Sequence, residues 1–347
     1  MTLHRKGPSI DFVHGRVDLS HGGGGRAMAQ LIEELFVAAF DNDMLRQRND
    51  QACFNVEAGR MVMTTDGYVI SPMFFPGGDI GSLAVHGTVN DVAMAGAVPI
   101  ALSASFILEE GLPLADLQRI VRSMAAASRE AGVPIVTGDT KVVEKGKGDG
   151  VFISTTGIGR VPAGLDISGD RARPGDAILI SGTMGDHGVA VMSQRESLGF
   201  ETTLLSDSAA LHGLVAAMVA AVPSIHCLRD PTRGGLATTL NELATQSGVG
   251  MMIREDAIPV RAEVRGACEL LGLDPLYVAN EGKLIAIVPA DEAERLLVVM
   301  RAHPLGGDSA IIGTVIADDH RFVQMETSFG GNRVVDWLAG EQLPRIC

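Results

Sequence analysis

Pro162-Ala-Gly-Leu-Asp-Ile-Ser-Gly-Asp-Arg-Ala-Arg-Pro-Gly-Asp176 runs directly into Ala177-Ile-Leu-Ile-Ser181 and then Gly182-Thr-Met-Gly-Asp-His-Gly188. The first stretch is polar and rich in glycine and proline, as linkers are. The second is a short apolar run of strand type, and the third a glycine loop ahead of an apolar helix from Val189 to about Ser197. A linker followed by a new strand, loop and helix divides the chain into two α/β units.

Downstream, helices are expected at Ser208–Val222, Gly235–Gly248, Val264–Leu271 and Glu292–Ala302. Strands are expected at Gly250–Ile253, Leu284–Val288, Ala310–Ile316 and Arg321–Met325. Upstream, Met28, Leu31, Ile32, Leu35, Ala39 and Phe40 recur at the helical period, predicting one helix from Arg26 to about Arg48. Arg60–Thr65 and Tyr68–Ile70 read as strands around a Thr-Asp-Gly turn. Helices at Leu83–Ala97 and Leu114–Gly132 and strands at Ile100–Leu108, Pro134–Thr137 and Val151–Ile158 complete the first half. The expected division is residues 1–160, a linker at 161–176, a second domain at 177–330, and a tail at 331–347.

The 347 residues carry 42 acidic and 28 basic side chains, a net charge of −14. That balance argues against a partner bound through its phosphate backbone, so no nucleic acid is expected. It says nothing against a nucleotide held through metal ions, since carboxylates hold magnesium. With 46% hydrophobic residues the chain can bury sizeable cores. Residues 1–12 have no apolar signal core and no apolar run can span a bilayer, so a soluble cytoplasmic protein is expected.

Cys53, Cys227, Cys268 and Cys347 have no metal-finger spacing. The first three sit in mixed apolar surroundings, where cysteine usually packs as a small hydrophobe. Cys347 ends a stretch holding Gly340 and Pro344, so it can ride on a short arm. A thiol there is either incidental or has a task.

Four successive glycines, Gly22, Gly23, Gly24 and Gly25, either wrap their amides around phosphates or form a flexible arm. The Gly182–Gly188 loop either faces an anion or needs glycine sterically. Asp50, Asp66, Asp91 and Asp230 lie beside apolar segments, where each is a cation ligand or a cap. Asp139 and Lys141 are expected to emerge at the end of a buried strand, where α/β sites form, and Glu281 has the same look. His86 and His187 sit near these segments at no ligand spacing, which suggests solvated or core roles.

Taken together, Ser20-His-Gly-Gly-Gly-Gly-Arg26, Thr64-Thr-Asp-Gly67, Phe75-Pro-Gly-Gly-Asp-Ile-Gly81 and His86-Gly-Thr-Val-Asn-Asp91 form a pattern with later motifs. These are Ile107-Leu-Glu-Glu-Gly-Leu-Pro113, Thr137-Gly-Asp-Thr-Lys-Val-Val143, Arg229-Asp-Pro-Thr-Arg-Gly-Gly235, Asn280-Glu-Gly282 and the terminal Pro344-Arg-Ile-Cys347. The pattern resembles the HypE family of hydrogenase maturation proteins, carbamoyl dehydratases of the aminoimidazole ribonucleotide synthetase (PurM-like) superfamily. The terminal tetrapeptide is specific to that family.

The resemblance implies a two-domain α/β (α+β) PurM-like fold. Its N-terminal mixed-sheet domain would form a β-barrel-like homodimer interface, and its C-terminal domain would be α/β. It implies ATP and Mg2+, with Asp50, Asp66, Asp91 and Asp230 on the metal and Gly22–Gly25, Thr65, Asn90, Gly138 and Thr140 around the nucleotide. A HypF-like carbamoyltransferase would load Cys347, and a HypC–HypD-like iron scaffold would take the cyano group for a nickel–iron hydrogenase. In the dehydration Glu281 would be the base, Lys141 would polarise or position the carbonyl oxygen, and Asp139 would orient Lys141 or the metal. Rival readings are another ATP-using synthetase of the superfamily, of selenophosphate or aminoimidazole ribonucleotide type, and a non-catalytic cyano carrier. Selenophosphate synthetases resemble a pattern with a reactive residue near the N-terminus, where here the first cysteine is Cys53.

Overall fold

Asp41, at φ 31°, breaks the long N-terminal helix expected from periodicity. The computed structural model describes residues 9–23, 25–46, 51–53, 55, 58–195, 203–338 and 345–346. In place of one helix there are α1 (Arg26–Leu31), a π-helical turn (Ile32–Val37), α2 (Ala38–Phe40) and α3 (Asp43–Arg46). Asn42 explains the break, because its Oδ1 caps Leu45 N at 3.1 Å while its Nδ2 donates to Ile135 O at 2.8 Å.

The first domain continues with β1 (Arg60–Tyr68), β2 (Phe74–Phe75), β3 (Gly78–Asp79), α4 (Ile80–Met94) and β4 (Val98–Glu109). Then come α5 (Leu114–Ala131), β5 (Ile135–Val143) and β6 (Val151–Val161). The strands form a mixed sheet in the order β1-β6-β4-β5, antiparallel except for β4 and β5.

Two sequence expectations fail here for one reason. The Thr-Asp-Gly turn lies inside β1, where Asp66 pairs with Thr155 and Gly67 with Ser154. Likewise Asp139 and Lys141 sit within β5 and pair with Ser105 and Ile107 of β4, instead of at a strand end. In both cases the partner strand's hydrogen-bond ladder overrides local turn propensity.

Asp79 caps α4 through Gly81 N at 2.8 Å and Ser82 N at 3.1 Å. Leu83, Val85 and Val89 of α4 and Leu117, Ile120 and Met124 of α5 pack on Leu102, Phe106 and Ile153. The sheet's opposite face carries Met61, Met63 and Thr65 of β1, Ile107 of β4, Ser154 of β6, and Asp139 and Lys141 of β5. Among the described residues nothing covers it, and Met63 is 72% exposed.

The second domain contains β7 (Ala177–Ile180), α6 (Asp186–Met192), α7 (His212–Ala221), β8 (Cys227–Arg229), α8 (Gly235–Ser247) and β9 (Gly250–Arg254). It ends with α9 (Ala262–Leu271), β10 (Ile285–Val288), α10 (Ala293–Ala302), β11 (Ala310–Ile316), β12 (Val323–Glu326) and β13 (Asn332–Val334). Helix α6 starts at Asp186, inside the expected Gly182–Gly188 loop, and not at Val189. The mixed seven-stranded sheet has the order β13-β12-β9-β11-β7-β10-β8. Its centre is buried on both faces, one against Leu236 and Leu240 and the other against Leu214, Met218 and Leu296. This accounts for β7 and β10 being apolar at every position. No described helix is long and apolar enough to cross a membrane.

Ile120→Ala should lower the unfolding free energy of the first domain by about 2–5 kcal/mol, because Ile120 is fully buried. Denaturant titration measures it.

Candidate active site

The domains meet at a recess lined by Asp66, Tyr68, Gly87, Asp91, Asp230, Thr232, Arg233 and Glu281. Strand β1 and helix α4 supply the first four, and the second domain supplies the rest. Alternation along β1 turns Asp66 and Tyr68 toward α4, where Asp91 accepts a hydrogen bond from Thr64 Oγ1 at 2.9 Å. The recess opens into a groove of about 800 Å3 whose walls include Thr64, Thr65, Arg229 and Glu242, with Arg229 paired to Glu242 at 2.7 Å.

Glu281 is 3% exposed, and its Oε1 has no hydrogen-bond partner among the described residues. Two neighbours fix its backbone. Its N–H donates to Asp207 Oδ1 at 3.0 Å, and its carbonyl accepts from Asn90 Nδ2 at 3.3 Å. Gly282 is needed beside it, because a Cβ there would lie 1.7 Å from the Asp207 carbonyl oxygen. Asp207 Oδ2 in turn lies 3.1 Å from Lys283 Nζ. Asn280 accepts from Gly185 N at 2.7 Å and donates to Pro231 O at 3.0 Å, tying the Asp230 segment to the α6 loop.

Burial and mutual repulsion of the acids dominate the electrostatics, with Arg229 and Arg233 opposing them. Desolvation, with Asp91 beside it, pushes Asp230 up to about 7. Desolvation also raises Asp91, against the hydrogen bond from Thr64. Burial first, then Asp230 and Asp207, hold Glu281 well above the usual carboxylate range. Among the described residues, no group of three or more His, Cys, Asp or Glu side chains is arranged to hold a metal ion. The negative charge gathered here instead suits a cation that brings oxygen ligands of its own.

The expected site residues divide. Asp66, Asp91, Asp230 and Glu281 come together, with Thr65 at the mouth. Asp139, Lys141, Gly138 and Thr140 lie on β5, three strands from β1, or about 14 Å at the usual spacing. Lys141 pairs with Asp139 at 3.1 Å on the uncovered face. Gly138 and Thr140 line an apolar cleft with Met28, Ile32, Phe36 and Phe40. Gly22 packs on β5 so closely that a Cβ would lie 2.6 Å from Val142 N, which fixes that part of the glycine run against the sheet. Gly23 follows in the same turn and Gly25 precedes α1, whereas Gly24, Asp50 and Cys347 lie outside the described residues. Asn90 spends its side chain on Ala209, Glu281 and Leu211 of the backbone, so it braces the site.

The tail is docked at the same junction. Ile346 is 4% exposed, and its carbonyl accepts from His187 Nε2 at 2.8 Å. The Arg345 carbonyl accepts from Ser71 N and from Arg195 Nη2, both at 3.1 Å, and its guanidinium pairs with Asp149. Sequence reasoning missed this use of His187 and the part of Asp207. Lys283, directly after Glu281-Gly282, offered a signal; His187 and Asp207 offered none. His86, pushed down to about 4 by burial, donates to or accepts from Ser208 at 2.9 Å, a core role. Cys227 and Cys268 are buried, but Cys53 is exposed, contrary to its apolar reading, as are its described neighbours Gln51 and Asn55.

The N-terminal domain of AIR synthase related proteins matches residues 48–161, and their C-terminal domain matches residues 173–326. Carbamoyl dehydratase HypE of Azotobacter vinelandii is 74% identical over 338 residues, 97% of this chain and 99% of the relative. The chain belongs to the HypE family. A crystal structure of the hydrogenase maturation protein HypE in complex with ATP shares 56% identity, with TM-score 0.91, over 95% of this chain and 99% of that one. A HypE chain from a HypE–HypF complex shares 51% identity, with TM-score 0.78, over 89% of this chain and 99% of that one. Both domains of the fold thus match the HypE architecture.

Glu281→Gln tests the electrostatics. A raised folded value favours the neutral acid, so the stabilisation is complete below about 4.5 and is lost as pH rises through the raised value. Melting temperatures of wild type and variant should coincide in acid. With rising pH the variant should become the more stable of the two.

Proposed function

We propose that this protein, using ATP, dehydrates a carbamoyl group carried on its own Cys347 to a cyano group for a nickel–iron hydrogenase. The observation that supports this most directly is the burial of Ile346 beside His187, one residue before Cys347 and at the junction that holds Glu281. An intramolecular substrate gains from effective concentration.

The chemistry balances in two steps. The carbamoyl oxygen takes the γ-phosphoryl group of ATP, releasing ADP and one N–H proton and leaving an imidate phosphate. Loss of inorganic phosphate and the second N–H proton then gives the thiocyanate. Glu281 is the base: its buried carboxylate has a raised proton affinity and an oxygen with no partner among the described residues, so in its ionised form it is a strong proton acceptor. Magnesium, when bound, would neutralise phosphate charge during transfer. Asp66, Asp91 and Asp230 would hold it together with phosphate oxygens, and Asp50 is carried over from the family pattern. The exposed guanidinium of Arg233, on the same recess, would bind phosphate. The cleft formed by Met28, Ile32, Phe36, Gly138 and Thr140 suits a planar base at the far edge of the sheet.

Lys141 and Glu281 act together only if a second copy contributes. Within one chain the recess that holds Glu281 adjoins the edge strand β1, whereas Lys141 is on the opposite edge strand β5 and on the uncovered face. Met61, Met63 and Ile107 on that face are exposed apolar residues, as a homodimer contact requires. Asp139 then orients Lys141 on the carbonyl oxygen. A HypF-like carbamoyltransferase is the donor and a HypC–HypD-like iron scaffold the acceptor, both in the cytoplasm.

Mass measurement of the tail peptide tests the reaction. With ATP, a carbamoyl source and the donor enzyme, the Cys347 peptide should gain a cyano adduct. Glu281→Gln should stop at the carbamoyl adduct, slowing dehydration at least about 100-fold. An adduct on another cysteine, or none, would refute the proposal. Met63→Asp should shift the sedimenting mass from dimer to monomer; an unchanged dimer would move the interface elsewhere.

A further inference from the structure

We infer that His187 is a positioning residue, the latch that seats the C-terminal tail, and that Leu204–Ser208 couples this latch to Glu281. The inference deepens the proposed function and rests on its assignment of Cys347 as the loaded residue.

The latch is built from complementary donors and acceptors. A carbonyl only accepts, so the 2.8 Å contact between His187 Nε2 and Ile346 O requires the proton on Nε2. Burial keeps the imidazole neutral by lowering its proton affinity, although Asp207 opposes this. Nδ1 is therefore an acceptor, and the hydroxyl of Ser206 at 2.8 Å donates to it. The same Ser206 oxygen accepts from Ser208 N at 3.1 Å, and Ser206 N donates to Pro76 O at 2.8 Å. Phe75 and the imidazole ring meet in a T-shaped contact at a centroid distance of 5.4 Å. Every polar atom of the latch has one permitted role, and those roles present an N–H toward the tail.

The coupling runs through adjacent residues. Ser206 fixes His187, and the next residue, Asp207, accepts from Glu281 N at 3.0 Å. The Asp207 carbonyl also sits where Gly282 tolerates no Cβ. A displacement of Ser206 on undocking therefore pulls directly on the segment that aims Glu281. The tail's arrival then sets the base as well as delivering the substrate.

The test uses the full-length protein without ATP or carbamoyl donor. The rate of iodoacetamide alkylation at Cys347 is followed by mass spectrometry of its own peptide. His187→Leu should alkylate about tenfold faster than wild type. His187→Gln, whose amide retains a donor, should stay within about twofold of it. Hydrogen exchange of the peptide containing Glu281 should accelerate about fivefold in His187→Leu and not in His187→Gln. Equal alkylation in wild type and His187→Leu, or a His187→Gln variant as fast as His187→Leu, would overturn the latch. Unchanged exchange would overturn the coupling. If His187→Leu fails to fold, Ser206→Ala, which leaves the tautomer unfixed, should alkylate about threefold faster, and wild-type behaviour would overturn the latch. Loss of these differences leaves the cyano adduct on Cys347 intact, and absence of that adduct leaves the differences intact, so the two failures separate.

Discussion

Asn90 is 1% exposed at the domain boundary and joins the two halves with a single side chain. Its Nδ2 reaches the carbonyls of Ala209 and Glu281, and its Oδ1 accepts from Leu211 N at 2.7 Å. Three backbone groups of the second domain thereby find partners on a helix of the first. Removing one partner in so dry a place strands the others, so the bracket fixes relative position as well as adding stability. Asp91 is the next residue, and Glu281 is itself one of the bracketed groups. The distance between acid and base across the junction is thus set by one amide.

That bracket explains how the recess keeps its charge. Carboxylates crowded in a partly dry space repel, and the fold answers by raising the proton affinities of Asp91, Asp230 and Glu281. A site selected only for stability would have neutral residues here. Retaining acids whose charge Arg229 and Arg233 offset only in part is the pattern of a reaction centre held ready at some cost in stability.

The two-unit organisation, the main helices and the acidic residues of the recess were legible because they depend on apolar period, glycine punctuation and carboxylate placement. Continuous strands β1 and β5 were less so, since Thr-Asp-Gly and Thr-Gly-Asp look like turns until a partner strand is beside them. The break at Asp41 escaped for a related reason: it depends on Asn42 reaching Ile135, 93 residues away. His187 was the least legible of the site residues. Its role needs Ser206 on one nitrogen and Ile346 on the other, contacts separated by 19 and 159 positions in sequence. Lys141 was expected just past the end of a strand and lies inside β5. Its separation from Glu281 follows only from strand order.

The burial of two cysteines matters for the fate of the product. Cys227 is pushed up to about 12 and Cys268 to about 11, both chiefly by burial, so these thiols stay protonated. A thiocyanate is an electrophile at sulfur: an approaching thiolate forms a disulfide and expels free cyanide. Protonated, enclosed thiols cannot make that attack, which leaves the exposed Cys53 as the described thiol able to approach such a group. By sealing two of its own thiols away, the protein keeps a toxic leaving group bound until a metal can receive it.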